Sequence, residues 1–325
     1  MNRQNQAVTV TIMTILAIVL TVGTSGLSAA SIAIVFTVCI PFAIVGMIST
    51  EKQSMIAFVV SAIAIFGLTD VKYAMEIVVT FVIPSILMGR LIDSVSEKEE
   101  DERQEPIYMG IIIFILSTIA YFIIAKYMMN IDVLKQLTDT FTKTAKVRLD
   151  NMPKEQLKML GNITVEEFSD MFRNMIVSLL FIQSSICVFF TYFLGGSIAK
   201  KLTDKDLNRI RMSRFYLPGN AVVITFLIYL AVFGLSYMET SLNTIAIMGN
   251  LQIIFNLMFM MQGISVCIYF IKTRLVQGRG GLIFPVVLII TLGVLGGGTL
   301  IALLGMLDCI MDFRKIKPKK MKKSI

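Results

Sequence analysis

Apolar runs of roughly 17–25 residues recur along the chain, and that is the length a helix needs to cross about 30 Å of hydrocarbon. No other feature constrains the fold so tightly. Hydrocarbon holds no water to satisfy backbone N–H and C=O groups, so such runs must be helical. Composition names the same solvent. Apolar residues make up 56% of the 325 and charged residues 16%, with a mean hydropathy of +0.78. A soluble domain holds about 45–50% and about 25%. The alternating strands of outer-membrane barrels are absent. The sequence predicts an all-α polytopic protein of the bacterial cytoplasmic (inner) membrane.

Eight full transmembrane helices are expected, at about 7–26, 30–49, 54–69, 73–92, 107–128, 172–198, 217–238 and 246–271. The first run is long for a signal-peptide core and another span follows at once, so it reads as an uncleaved helix. Lys and Arg counts in short loops place the N-terminus in the cytoplasm. Lys52, Arg90 and a cluster of six basic residues at 200–214 then fall inside. The tail RKIKPKKMKKSI carries seven basic residues in twelve positions and no acid, so it stays inside as well. Eight spans already return the chain to that side. The apolar stretch 281–313 must therefore enter and come back, as a short helical hairpin hinged at the glycines 296–298. The count is thus 8–10 spans.

Two polar segments interrupt the spans. SVSEKEEDERQE, 94–105, reads as a solvated linker. The segment 129–171 reads as a helical extracytoplasmic insert. Ile131, Leu134, Leu137, Phe141, Ala145 and Leu149 follow helical spacing, Pro153 breaks the pattern, and Thr164 with Glu167 forms a capping box. Four parts follow: an N-terminal five-helix bundle (1–128), the insert (129–171), a C-terminal bundle (172–313) and a basic cytoplasmic tail (314–325).

Polar groups inside a membrane are the best functional pointers. The run 246–271 carries Asn250, Gln252, Asn256, Gln262 and Ser265, and Glu76 sits one turn inside the fourth span. Glu76, Gln252, Asn256 and Gln262 are the candidate pocket lining; the amides are equally suited to pairing between helices. Gln183, Ser184 and Ser185 lie midway along the sixth span. Pro41, Pro84, Pro218 and Pro285 lie in or at the ends of spans, where proline kinks or breaks a helix. Asp308 and Asp312, four residues apart, are expected on one helix face near the cytoplasmic exit. There they would form a structural ledge against basic residues of 200–214 and 272–279.

Catalytic chemistry finds little support. The chain has no histidine, and its four cysteines are scattered through apolar runs without metal-binding spacing. No GxxxxGK[ST], HExxH or GxSxG pattern is present. The expectation is a protein that is not an enzyme, with no metal and no cofactor. The +8 charge is dispersed over loops and the tail, so membrane lipid rather than nucleic acid is the expected partner.

Three stretches carry a family resemblance: RFYLP (214–218), NLMFMMQGIS (256–265) and LLGMLDCIMDFRK (303–315). With the long insert after the fifth span, they resemble the YybS-like membrane proteins of Firmicutes, a family of unknown function. The resemblance makes Pro218, Asp308, Asp312 and Arg314 structural-motif residues. The first spans, through IPF (40–42), GLTD (67–70) and IPSILMGR (83–90), are distantly similar to the substrate-capture (S) components of energy-coupling-factor transporters. Two functions are compatible with these observations. One is a transporter-like protein that handles a small molecule and has no ATPase of its own. The alternative is a non-transporting scaffold whose insert and basic tail bind a membrane-protein partner or anionic lipid.

Overall fold

The computed structural model describes residues 3–26, 32–99, 102–153, 164–203, 207, 209–217, 220–238, 242–275 and 298–316. Every regular element among them is helical. Six helices are long and apolar enough to cross a membrane, and three shorter apolar helices accompany them. The expected span 30–49 is helical over the described residues 32–48. The expected span 217–238 is shorter than the sequence suggests, its helix being Ala221–Leu235, 15 residues. The stretch 276–297, with the first arm of the expected hairpin, lies outside the described residues, as does Pro218.

The chain forms two compact units, one of 1–98 with 105–208 and one of 99–104 with 209–325. This division falls at 208, beside the expected boundary at 171. The helix after the insert belongs with the first bundle because it packs along the helix of the fifth span.

Unit 1 contains α1 (Arg3–Gly23), α2 (32–48), α3 (Glu51–Leu68), α4 (Val71–Ser94), α5 (Glu105–Met128), α6 (Val133–Asp150), α7 (Val165–Asn174) and α8 (Ile176–Thr203). Capping sets several boundaries. Thr50 and Gln53 form a capping box at the start of α3, and the Asp70 carboxylate accepts from the N–H groups of Lys72 and Tyr73 to open α4. Side-chain bonds then fix the helix directions. Gln6 donates to the Ile48 carbonyl at 2.7 Å, and Arg90 donates to the Ser49 carbonyl at 2.7 Å, so the start of α1 and the ends of α2 and α4 share one end of the bundle. Tyr73 donates to the Thr21 carbonyl at 3.0 Å at the opposite end.

α2 and α4 are built alike. Each contains V-x-T-x-x-I-P-x-x-x-x-G, at 35–46 and again at 78–89. In both, the residues just before the proline form a π turn, Val35–Cys39 and Val78–Val82, with Ile40 and Ile83 donating five residues back. Proline has no N–H and its ring clashes with the carbonyl four residues earlier, and the wide turn absorbs that defect without breaking the helix. The closing glycines meet. A Cβ on Gly46 would collide with the Ile86 carbonyl oxygen, and one on Gly89 with that of Ala43. Only glycine permits this approach, which substitutes close backbone packing for a hydrophobic force that lipid does not supply. The two parallel helices cross at these glycines.

The insert is a helical hairpin of α6 and α7. Phe141 stacks on Phe172 with ring centroids 3.9 Å apart and on Phe168 at 5.3 Å, and the hydroxyls of Thr142 and Ser169 are 2.7 Å apart. Thr164 caps α7. Its N–H and hydroxyl both donate to the Glu167 carboxylate, and the backbone bond is the main reason that carboxyl is held below its ordinary range. A lowered carboxyl pKa stabilises the cap above the ordinary carboxylate range, and the contribution is lost as pH falls through the lowered value.

Unit 2 contains a short 3-10 turn at Met212–Arg214, α9 (Ala221–Leu235), α10 (Thr244–Phe270) and α11 (Thr299–Met311). α10 and α11 form the tightest pair. A Cβ on Gly263 would collide with the Ile301 carbonyl, and one on Gly305 with the Phe259 carbonyl, the same reciprocal device as in unit 1.

Candidate functional site

Two polar constellations stand out, one in each unit; the unit 2 network is densely hydrogen-bonded through Asp308 Oδ2, although Asp308 Oδ1 is buried without a partner. In unit 2 the three sequence stretches singled out above converge on one buried network. Asp308 and Arg314 are 1% and 3% exposed. Arg314 donates through Nε (3.1 Å) and Nη2 (2.8 Å) to Asp308 Oδ2. Its other bonds reach the carbonyls of Ser213 (3.0 Å) and Phe215 (2.9 Å) and the Ser265 hydroxyl. Gln262 donates to the same Asp308 oxygen at 2.7 Å and accepts from the Leu217 N–H at 2.8 Å. Ser265 donates to the carbonyls of Met212 and Phe215. The arginine is thus clamped by the RFYLP stretch, by α10 and by the end of α11.

Two expectations change here. Asp308 pairs with Arg314 rather than with a basic residue of 200–214 or 272–279, so Arg314 belongs to the buried unit and not to a free tail. Asp312 does not share a helix face with Asp308, because α11 ends at Met311 and Asp312 caps it in the left-handed conformation, φ 47°. Aspartate tolerates that conformation better than most side chains. The turn it makes folds the chain back, and that return brings the Arg314 side chain onto Asp308. The Asp312 carboxylate meanwhile accepts from the Ile316 N–H at 3.2 Å.

In unit 1 a cavity of about 470 Å³ opens among α2, α4, α5, α8 and the insert. Its polar and aromatic lining comes from Glu76, Thr80 and Phe81 of α4, Thr118, Tyr121 and Phe122 of α5, and Gln183 and Cys187 of α8. Val133, Leu137 and Phe172 of the insert complete it. Every span contributes from its insert-side half, so the cavity lies at that end of the bundle, away from the Gly46–Gly89 crossing. Ligand pockets of about 300–1,000 Å³, mostly apolar with a few polar groups, are the common kind.

The repeat between α2 and α4 shows what is particular to this cavity. Ala33 and Thr37 of α2 occupy the positions that Glu76 and Thr80 hold in α4. In α2 the threonine hydroxyl is satisfied by the Ala33 carbonyl at 2.8 Å. In α4 the Thr80 hydroxyl is buried with no partner. Glu76 makes no ion pair or hydrogen bond among the described residues, and its four-residue spacing places it on the face of Thr80. Where the first copy closes its threonine hydroxyl onto its own helix, the second leaves it without a partner beside the cavity and adds a carboxylate to the lining.

Of the four candidate lining residues, Glu76 belongs to unit 1 and Gln252, Asn256 and Gln262 to unit 2. Glu76 lines this cavity. Gln262 is fully buried in the unit 2 network, and Gln252 and Asn256 are exposed on α10. The contributions of Thr80, Tyr121 and Phe172 escape inspection of single spans, although the V-x-T-x-x-I-P repeat marks Thr80. No group of three or more Cys, Asp and Glu side chains suited to a metal occurs among the described residues.

No curated protein and no solved structure matches the chain. A family model described as "Predicted membrane protein (DUF2232)" matches residues 11–309, nearly the whole chain, taking in the unit 1 cavity and Asp308 but ending before Arg314. The chain therefore belongs to this DUF2232 family of membrane proteins.

Proposed function

We propose that this is a transporter-like membrane protein that binds a small molecule in the unit 1 cavity, under an insert that forms its cover. The observation that carries this is a cavity of ligand size lined by half-buried Glu76, which makes no hydrogen bond or ion pair among the described residues, and by Thr80, whose hydroxyl is buried without a partner. A buried polar group without a hydrogen bond costs free energy, so a fold retains one where function requires it. The insert supports the assignment, because Phe172 lines the cavity while stacking on Phe141, so movement of the hairpin would uncover it. No catalytic constellation accompanies the cavity among the described residues, and we infer binding and passage rather than chemistry.

The finer placement belongs to the same proposal. The chain is YybS-like, and its first spans act as an S-component-like capture bundle in a bacterial inner membrane, with both termini in the cytoplasm and the insert outside. The short helices Ala221–Leu235 and Thr299–Met311 enter the same membrane. A scaffold role rests on one observation, the exposure of Gln252 and Asn256 along a membrane helix, where an amide gains from a partner's hydrogen bond.

Cysteine labelling tests the cavity. In a background with the four native cysteines replaced, Gln183→Cys is expected to react with a small charged thiosulfonate reagent, because a binding cavity admits water. A Gln183→Cys protein that stays unlabelled while Ser169→Cys in the insert reacts would rule the cavity out as a solute site.

A further inference from the structure

Among small molecules, the cavity selects by charge. Resting on the reading of the cavity as a binding site, we propose that its ligand is an organic monocation, a protonated amine or comparable group on an apolar or aromatic body.

Glu76 is the one ionisable carboxylate among the lining residues, and no lining residue is basic. An ionised carboxylate enclosed by apolar walls is costly without a partner, and a cation supplies that partner where a neutral molecule does not. An anion would meet like charge. The Thr80 hydroxyl, one helical turn away and buried without a partner, accepts a second N–H from the same cationic head once its side chain rotates toward the cavity. Phe81, Tyr121, Phe122 and Phe172 line the same cavity, and aromatic rings attract cations and cover an apolar body. A bare divalent ion is a poor fit, because calcium takes about 6–8 oxygen ligands and magnesium an octahedral set, whereas this lining is largely hydrocarbon. The second copy of the repeat supports the same inference. Ala33 in α2 becomes Glu76 in α4 in the stretch where both helices line the cavity.

Three size-matched probes decide the matter: 3-phenylpropylammonium, 3-phenylpropanol and 3-phenylpropionate, titrated into the full chain in lipid nanodiscs. The ammonium is expected to bind about tenfold or more tightly than the alcohol, a difference of about 1.4 kcal/mol. The carboxylate is expected not to compete. Glu76→Gln should bring the ammonium down to the alcohol's affinity and leave the alcohol unchanged. Thr80→Val, which removes the hydroxyl at nearly constant volume, should weaken the ammonium more than the alcohol. Equal binding of ammonium and alcohol, or an ammonium preference that survives Glu76→Gln, would overturn the cation assignment while leaving the cavity a binding site. Failure of all three probes also overturns it, and the Gln183→Cys labelling then reports separately on whether the cavity itself stands.

Discussion

Methionine in place of Arg314 is expected to destabilise the full chain by about 3–5 kcal/mol, seen as a large fall in its thermal midpoint in detergent. The substitution keeps most of the side-chain volume and deletes the charge. Asp308 would then be left 1% exposed with only the Gln262 amide on its carboxylate. The carbonyls of Ser213 and Phe215 would lose a donor as well. Lysine is expected to do little better, because a point charge cannot reproduce a planar fork that reaches four acceptors. The pair is costly to bury and costlier to break. Asp308→Leu combined with Arg314→Met should therefore recover most of the loss, and a double variant as unstable as the sum of the singles would contradict this.

The second large effect is expected at the helix crossings. Gly305→Ala puts a methyl group onto the Phe259 carbonyl, and Gly89→Ala onto that of Ala43. The obstacles are backbone atoms that no rotamer change can move, so each variant should lose about 1–3 kcal/mol or more. Gly67→Ala and Gly249→Ala are the controls, since nothing lies within 4 Å of a Cβ there. Alanine is the better helix former by about 0.8–1.0 kcal/mol, so these two should be neutral or slightly stabilising. Uniform destabilisation at all four sites would mean that glycine serves flexibility rather than close packing.

Much of the fold was legible because hydrocarbon imposes so simple a rule. Run length located the helices, and the Thr164–Glu167 box located the start of α7. The rest was hidden for identifiable reasons. Hydropathy does not distinguish an apolar run that is helical throughout from one that contributes a 15-residue helix, hence the overlong reading of 217–238. Periodicity placed Asp308 and Asp312 on one face because it cannot see a left-handed cap, and so it left Arg314 in the tail. Gln262 looked like pocket lining because a single sequence shows the amide but not the N–H of Leu217 or the carboxylate of Asp308 that satisfy it. Glu76 was visible as an intramembrane acid, but its meaning came from Thr80 beside it and from Ala33 in the first copy of the repeat. The repeat is present in the sequence at 35–46 and 78–89, and only the reciprocal contact of Gly46 and Gly89 gives it structural sense.

On the proposed function, unit 2 uses its buried polar groups to hold itself together, whereas unit 1 keeps Glu76 for a ligand. Thermal unfolding of the ligand-free Glu76→Gln protein tests it most directly. A carboxylate without a partner contributes nothing to the empty fold and opposes burial, so the amide should leave the midpoint unchanged or raise it. A fall comparable to that of Arg314→Met would show that Glu76 is structural and contradict the account.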